Sequence, residues 1–272
     1  MSDLIDIALA EDIGEGDLTT RAVVPEGAEA KARISQKAPG VIAGLRVAEA
    51  VFQRVDAELV FVMHCPQGMW REAGAVAEIS GSAASILAAE RVALNFLAHL
   101  SGVATLTARY VRAVEGTGVR ILDTRKTMPG LRALEKEAVR TGGGESHRSG
   151  LFDAILVKEN HARLAGGVGE AGRSAVAAAP DGVMVEVECA TLDEVRDALE
   201  AGVSRILLDN MSTVDLRAAV VLAGGRAELE ASGGVTLDTV REIAETGVDY
   251  VSIGALTHSA PALDLSLLLE PL

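Results

Sequence analysis

The sequence predicts an α/β protein with a parallel, barrel-like carboxyl-terminal domain and a smaller amino-terminal α+β domain. Short β-branched apolar runs recur through the carboxyl-terminal half, and helix-like segments with clear start and stop signals separate the later ones. The amino-terminal third lacks that rhythm. One domain is expected over residues 1–105 and the other over 106–272, with the carboxyl-terminal tail free to pack back on the first.

In chain order, a short amphipathic helix is expected over Leu4–Glu11, followed by turn-rich sequence. Strands are expected near 30–37, 40–43, 59–63 and 75–79, punctuated by Gly and Pro. The stretch SAASILAAERVALNFLAHL reads as a long helix ending at Ser101-Gly102, with another helical run to about Glu115. Six strand-like runs follow: VRILD (119–123), AILVK (154–158), VMVEVE (183–188), RILLD (205–209), AELEA (227–231) and YVSIG (250–254). From Val183 they repeat every 21 to 23 residues, the spacing of βα units around a parallel sheet. The intervening TLDEVRDALEAG and TLDTVREIAETG, from Thr191 and Thr236, each offer a Thr N-cap, an early acid and a closing Gly. With six strands visible, a complete eight-stranded barrel is not expected.

Composition excludes several functions. A content of 49% hydrophobic and 24% charged residues supports a sizeable core, whereas 3% aromatics cannot build a base-stacking platform. A formal net charge of −14 opposes a nucleic-acid backbone. The segment MSDLIDIALAEDIGEGD has no basic region followed by an apolar one, and no uninterrupted apolar run reaches the roughly 18 residues of a membrane span. Cys65 and Cys189 lie far apart, outside any metal spacing, and read as reduced thiols. A cytoplasmic protein without nucleic-acid or membrane partners is expected.

Charge is unevenly placed. Residues 120–163 hold nine Lys or Arg against six Asp or Glu, and the rest of the chain sixteen against thirty-three. A cationic island in an acidic protein suits a small anionic ligand, although ion pairs on a solvated face would give the same count.

In parallel barrels the active site forms at the carboxyl ends of the strands. There the chain places Asp123-Thr124-Arg125-Lys126, Lys158-Glu159-Asn160-His161, Glu188, Asp209-Asn210, Ser232-Gly233-Gly234 and Gly254-Ala255. Cations follow the early strands, carboxylates the middle ones and glycines the late ones. The late glycine loops suit a phosphate, which bare backbone N–H groups can cradle, or are plain turns. Glu188 and Asp209 offer hard oxygen donors for Mg²⁺, or pair with neighbouring cations. Glu186 shares the face of Glu188 one layer deeper. Arg125, Lys126, His147, Arg148 and Lys158 gather cationic groups from three places, with His147-Arg148 carried behind the Gly142-Gly143-Gly144 run. A buried Lys158 would alternatively serve as the Schiff-base lysine of an aldolase. Arg91, among apolar neighbours, either snorkels to the helix edge or reaches a site, that of another subunit included.

These motifs together resemble the quinolinate phosphoribosyltransferase family nearly end to end. The likeness runs through LAEDIGEGDLTT, APGVIAGL, ERVALNFLAHLSGVAT, ILDTRKTMPGLRALEKEAV, GGGESHRSGLFDAILVKENH, EVE, ILLDNMS, LEASGGV and TGVDYVSIGALTHS. It implies an incomplete α/β barrel beside an α/β sandwich, assembled as a homodimer. It also implies phosphoribosyl transfer from phosphoribosyl diphosphate to quinolinate with decarboxylation, giving nicotinate mononucleotide in NAD biosynthesis. On matching motifs, Arg125, His147, Arg148 and Lys158 would bind quinolinate, with Arg91 lent by a partner subunit. Lys126 and Lys158 would lie toward the diphosphate, and Glu188 and Asp209 would hold Mg²⁺ with the donor. Ser232, Gly233, Gly254 and His258 would surround the donor phosphates. Met128, Ser146 and Glu159 depart from the family's usual Thr, Asn and Asp. Lys158 separates the chain from a related group, associated with molybdate-transport operons, that lacks this lysine. A non-catalytic relative that holds a phosphorylated anion is the remaining alternative.

Overall fold

A computed structural model describes residues 2–272 and contains two compact units. The chain begins with α1 (Ser2–Ile13), α2 (Leu18–Val23), β1 (Glu29–Gln36), β2 (Gly40–Val41), α3 (Leu45–Val55) and β3 (Val60–Met63). β4 (Trp70–Arg71), β5 (Gly74–Ser82), α4 (Ala83–Ala113), β6 (Arg120–Leu122), α5 (Arg132–Thr141) and β7 (Ile155–Val157) follow. Next come α6 (Glu159–Ala165), α7 (Val168–Ala178), β8 (Val185–Cys189), α8 (Leu192–Glu200), β9 (Arg205–Asp209) and α9 (Thr213–Ala223). The chain closes with β10 (Glu228–Ser232), α10 (Val240–Ala244), β11 (Tyr250–Ser252), α11 (Ala255–His258) and β12 (Leu265–Pro271).

The first unit takes the chain up to Ala108 together with Pro129–Gly143 and Ala260–Leu272. A single cut near residue 105 therefore does not describe it, because α5 and β12 both return to it. Its sheet runs β12-β1-β5-β3 and is antiparallel throughout. Along β1 burial alternates, with Ala30, Ala32 and Ile34 fully buried, as one packed face and one outer face require. Helix α3 buries Leu45, Ala48, Val51 and Phe52, spaced to share one helical face.

One helix, α4, replaces the expected pair that would have broken at Ser101-Gly102. These residues serve close approach within the first unit. Ser101 Oγ accepts from the Ala43 amide at 3.0 Å, and a Cβ on Gly102 would lie 2.2 Å from the Pro261 carbonyl oxygen. By length and composition α4 could cross a membrane, yet 56% of its most apolar stretch is buried within the protein, as in a core helix.

The second unit comprises Arg109–Met128 and Gly144–Ser259. Its sheet is parallel throughout, in the order β6-β11-β10-β9-β8-β7. β6 and β7 occupy opposite edges, so six strands form an incomplete barrel. Thr191 caps α8 as expected, accepting from the Glu194 amide at 3.2 Å. Thr236 does not cap α10, which starts four residues later; its own amide donates to Thr239 Oγ1 at 3.0 Å. In the glycine run, Gly142 closes α5 and packs where a Cβ would lie 2.4 Å from the Ala104 carbonyl.

Alternate residues of this sheet form layers. At the amino ends of the strands, the Arg120 and Arg205 guanidinium carbons lie 4.1 and 3.9 Å from the centre of the Tyr250 ring. Glu228 accepts from Arg205 at 2.7 Å and from the Tyr250 hydroxyl at 2.9 Å. On the same face Glu186 lies beside Arg205, and Glu230 beside Leu207 and Tyr250; nearer the carboxyl ends, Glu188 lies beside Leu207, and Ser232 beside Asp209 and Ser252.

Candidate active site

The carboxyl ends of these strands surround a cavity of about 320 Å³, within the size range of small-molecule sites. Arg125, Lys126, His147, Arg148, Lys158, Glu188, Asp209 and Ser232 line it, so eight expected residues meet in one place. Gly233, Gly254 and His258 stand just outside the lining. A Cβ on Gly254 would lie 3.0 Å from Lys126 Cδ and 3.2 Å from His258 Nε2, so this glycine leaves room for both side chains. The Thr257 hydroxyl fixes the same corner by donating to the Lys126 carbonyl at 2.7 Å. Arg91 is not part of the lining. It lies in the first unit, its side chain 64% exposed, with the Glu90 carboxylate 3.8 Å away.

Sequence reasoning placed Thr124 at a strand end without a role and missed Leu156, Leu207, Glu230 and Ser252. The two-residue period was the available signal: stepping back from Ser232 gives Glu230, as stepping back from Glu188 gives Glu186. Asn210 was placed at a strand end without a role. It has a left-handed backbone (φ 54°), and its side-chain amide donates to Asp209 Oδ2 at 2.9 Å.

Lys158 is half exposed, with its Nζ 3.7 Å from Glu188 Oε2. The buried, apolar surroundings that activate a Schiff-base lysine are not those of Lys158. Arg148 lies partly buried, and its affinity for its proton is lowered by burial and then by the nearby Arg125 charge. Two guanidinium groups crowded together form a site for an anion with more than one negative charge. Glu159, one of the family departures, pairs with Arg163 at 2.5 Å across one turn of α6, and Met128 is exposed.

His147 is buried beneath this wall. Its Nε2 lies 2.9 Å from Glu186 Oε2 and 3.4 Å from Glu230 Oε2, and both glutamates are fully buried. Its Nδ1 accepts from the Arg148 amide at 2.7 Å, and its own amide donates to Asp123 Oδ1 at 2.9 Å. Burial lowers the imidazole pKa, but the two carboxylates outweigh it and raise the value to about 9. The Arg148 amide needs an unprotonated Nδ1 and so works against that rise. Burial raises the Glu186 carboxyl, with the His147 contact opposing it.

Cationic side chains and two carboxylates gathered at one cavity suit a transferase that holds an anionic acceptor against a phosphorylated sugar, and this is the arrangement of a phosphoribosyltransferase. The chain belongs to the quinolinate phosphoribosyltransferase family. Residues 17–101 match "Quinolinate phosphoribosyl transferase, N-terminal domain" and residues 103–268 match its C-terminal domain. The chain is 42% identical over 258 residues to the "Probable nicotinate-nucleotide pyrophosphorylase [carboxylating]" of Bacillus subtilis, covering 94% of this chain and 89% of the relative. It is also 42% identical over 290 residues to "Quinolinate phosphoribosyltransferase [decarboxylating] 2, mitochondrial" of Nicotiana glauca, covering 99% and 82%. Its fold matches the crystal structure of NadC from Streptococcus pyogenes with a TM-score of 0.95, at 44% identity over 100% of this chain and 96% of that one.

Proposed function

We propose that this protein transfers the phosphoribosyl group of phosphoribosyl diphosphate to the ring nitrogen of quinolinate, with decarboxylation, to give nicotinate mononucleotide, diphosphate and CO₂ in NAD biosynthesis. The observation that carries the reading is that one cavity gathers Arg125, Lys126, Arg148 and Lys158 with the carboxylates of Glu188 and Asp209. Arg125 and Arg148 hold the two quinolinate carboxylates and so aim the ring nitrogen at the ribose C1. Lys126 and Lys158 face the diphosphate, with the glycine loops at Gly233 and Gly254 beside the phosphates. As the C1–oxygen bond breaks and the nitrogen–C1 bond forms, positive charge gathers on the pyridine ring. That charge draws in the electron pair released when the 2-carboxylate leaves as CO₂, and a proton then fills the vacated ring position.

Mg²⁺ fits Glu188 and Asp209. Both are hard oxygen donors at adjacent strand ends, and both also border a second, acidic cavity of about 270 Å³ lined in part by Glu159 and Glu194. When bound there the ion would neutralise charge on the departing diphosphate. A homodimer in which Arg91 reaches the partner's cavity is part of this reading, supported by the exposure of Arg91 on α4. So is a cytoplasmic location, supported by two free, buried cysteines.

The test is turnover of the purified protein with quinolinate, phosphoribosyl diphosphate and Mg²⁺, following nicotinate mononucleotide, with nicotinate and nicotinamide as alternative acceptors. Product from quinolinate alone is expected. Quinolinate binding without product would favour the non-catalytic relative.

A further inference from the structure

Both nitrogens of His147 are engaged by the protein. Nε2 faces the buried carboxylates of Glu186 and Glu230, and Nδ1 takes the Arg148 amide. A carboxylate only accepts, so Nε2 carries a proton toward Glu186, while Nδ1 lies against the Arg148 amide. The two glutamates also need a reason to be where they are. Each is fully buried in a layer beneath the cavity, and neither Glu186 Oε1 nor either Glu230 oxygen makes a hydrogen bond. Apolar side chains of similar size would fill that layer at less cost. What the carboxylates hold in place is the His147 ring, and through it the backbone of Arg148. They also set negative charge close to a guanidinium that the Arg125 charge repels.

We propose that Glu186, His147 and Glu230 form a positioning array that fixes Arg148 for the acceptor. The proposal rests on the phosphoribosyl transfer described above. The array acts from below the cavity: Glu186 and Glu230 orient the ring, the ring orients the Arg148 amide, and Arg148 presents its guanidinium to an acceptor carboxylate. His147 Nε2, Glu186 and Glu230 also present one ligand atom each within 4.8 Å, a grouping that could take a metal ion. The hydrogen-bond distance of 2.9 Å assigns the cluster to the array instead.

The test compares Glu186→Leu and Glu186→Gln with the wild-type enzyme in steady-state kinetics, varying each substrate in turn. Glu186→Leu is expected to raise the KM for quinolinate by about tenfold or more, the scale of misplacing one charged contact. The KM for phosphoribosyl diphosphate should move less than about twofold, since the donor's partners lie elsewhere. Glu186→Gln, whose Oε1 still accepts from Nε2–H, should restore the quinolinate KM to within a few-fold of wild type. An unchanged quinolinate KM in Glu186→Leu, or a parallel rise for both substrates, overturns the proposal. If Glu186→Leu does not fold, ¹⁵N spectra of the wild-type histidines decide: His147 is expected to keep a proton on Nε2, directed at Glu186, and a bare Nε2 overturns the proposal. Stoichiometric zinc in the dialysed protein would also overturn it. Wild-type protein that does not turn over sinks the underlying reading as well, whereas an active wild type with normal Glu186→Leu kinetics sinks only the array.

Discussion

Gly233 and Asn210 approach so closely that a Cβ on the glycine would lie 2.2 Å from the Asn210 Oδ1. Both have left-handed backbones, with φ of 99° and 54°, and Asn210 is in turn the hydrogen-bond donor to Asp209. Gly233→Ala must therefore strain the loop and push Asn210 off the carboxylate. Chemical denaturation should show a loss of about 1–3 kcal/mol, and turnover should fall by about tenfold or more as Asp209 loses its orientation.

Glu188→Gln and Asp209→Asn each remove one hard donor while keeping shape. Turnover should drop on the order of 10²-fold in each, and the Mg²⁺ concentration for half-activation should rise. Chelation should abolish wild-type turnover. Insensitivity of the wild type to chelator would remove the metal from the proposal.

Arg91→Ala and Arg148→Ala should each be nearly inactive alone. If Arg91 acts in the partner's cavity, refolding the two variants together should recover activity, to about a quarter of wild type for random pairing in a two-fold dimer. No recovery would place Arg91 outside the partner's site.

Gly102→Ala tests packing against propensity. Alanine favours an exposed helix interior by about 1 kcal/mol over glycine, but here its Cβ would meet the Pro261 carbonyl at 2.2 Å. Net destabilisation of about 1–3 kcal/mol is expected. A more stable variant would show that the Pro261 segment yields easily.

The two thiols give a check on burial. Burial raises both Cys65 and Cys189, most strongly Cys189, leaving little thiolate at any pH below their shifted values. Native protein should resist iodoacetamide at mildly alkaline pH, and both residues should react once the chain is unfolded in guanidinium chloride. Rapid native labelling of Cys189 would show that β8 opens readily.

Much of the second unit was legible because a parallel strand writes itself twice, as an apolar run and as a polar residue at its end. That is why Glu188, Asp209 and Ser232 could be placed before any coordinates. Glu230 was not, because AELEA reads equally well as a strand with an outward acid. Only the register of β10 beside β9 and β11 turns it inward. The first unit was less legible for another reason. The Ser101-Gly102 pair looks like a helix end unless its distant neighbours, Ala43 and Pro261, are known. β12 gave no signal of its own, since its pairing partner β1 lies more than two hundred residues earlier.

That pairing also sets an order of assembly. Residues 109–128 and 144–259 hold every strand of the second unit, whereas the sheet of the first lacks an edge strand until Leu265–Pro271 has been made. Domains that emerge first on the ribosome ordinarily fold first. Here the sequence of events is reversed: the strands made earliest keep β1 open along one side until Leu265–Pro271, made after every strand of the second unit, seals it.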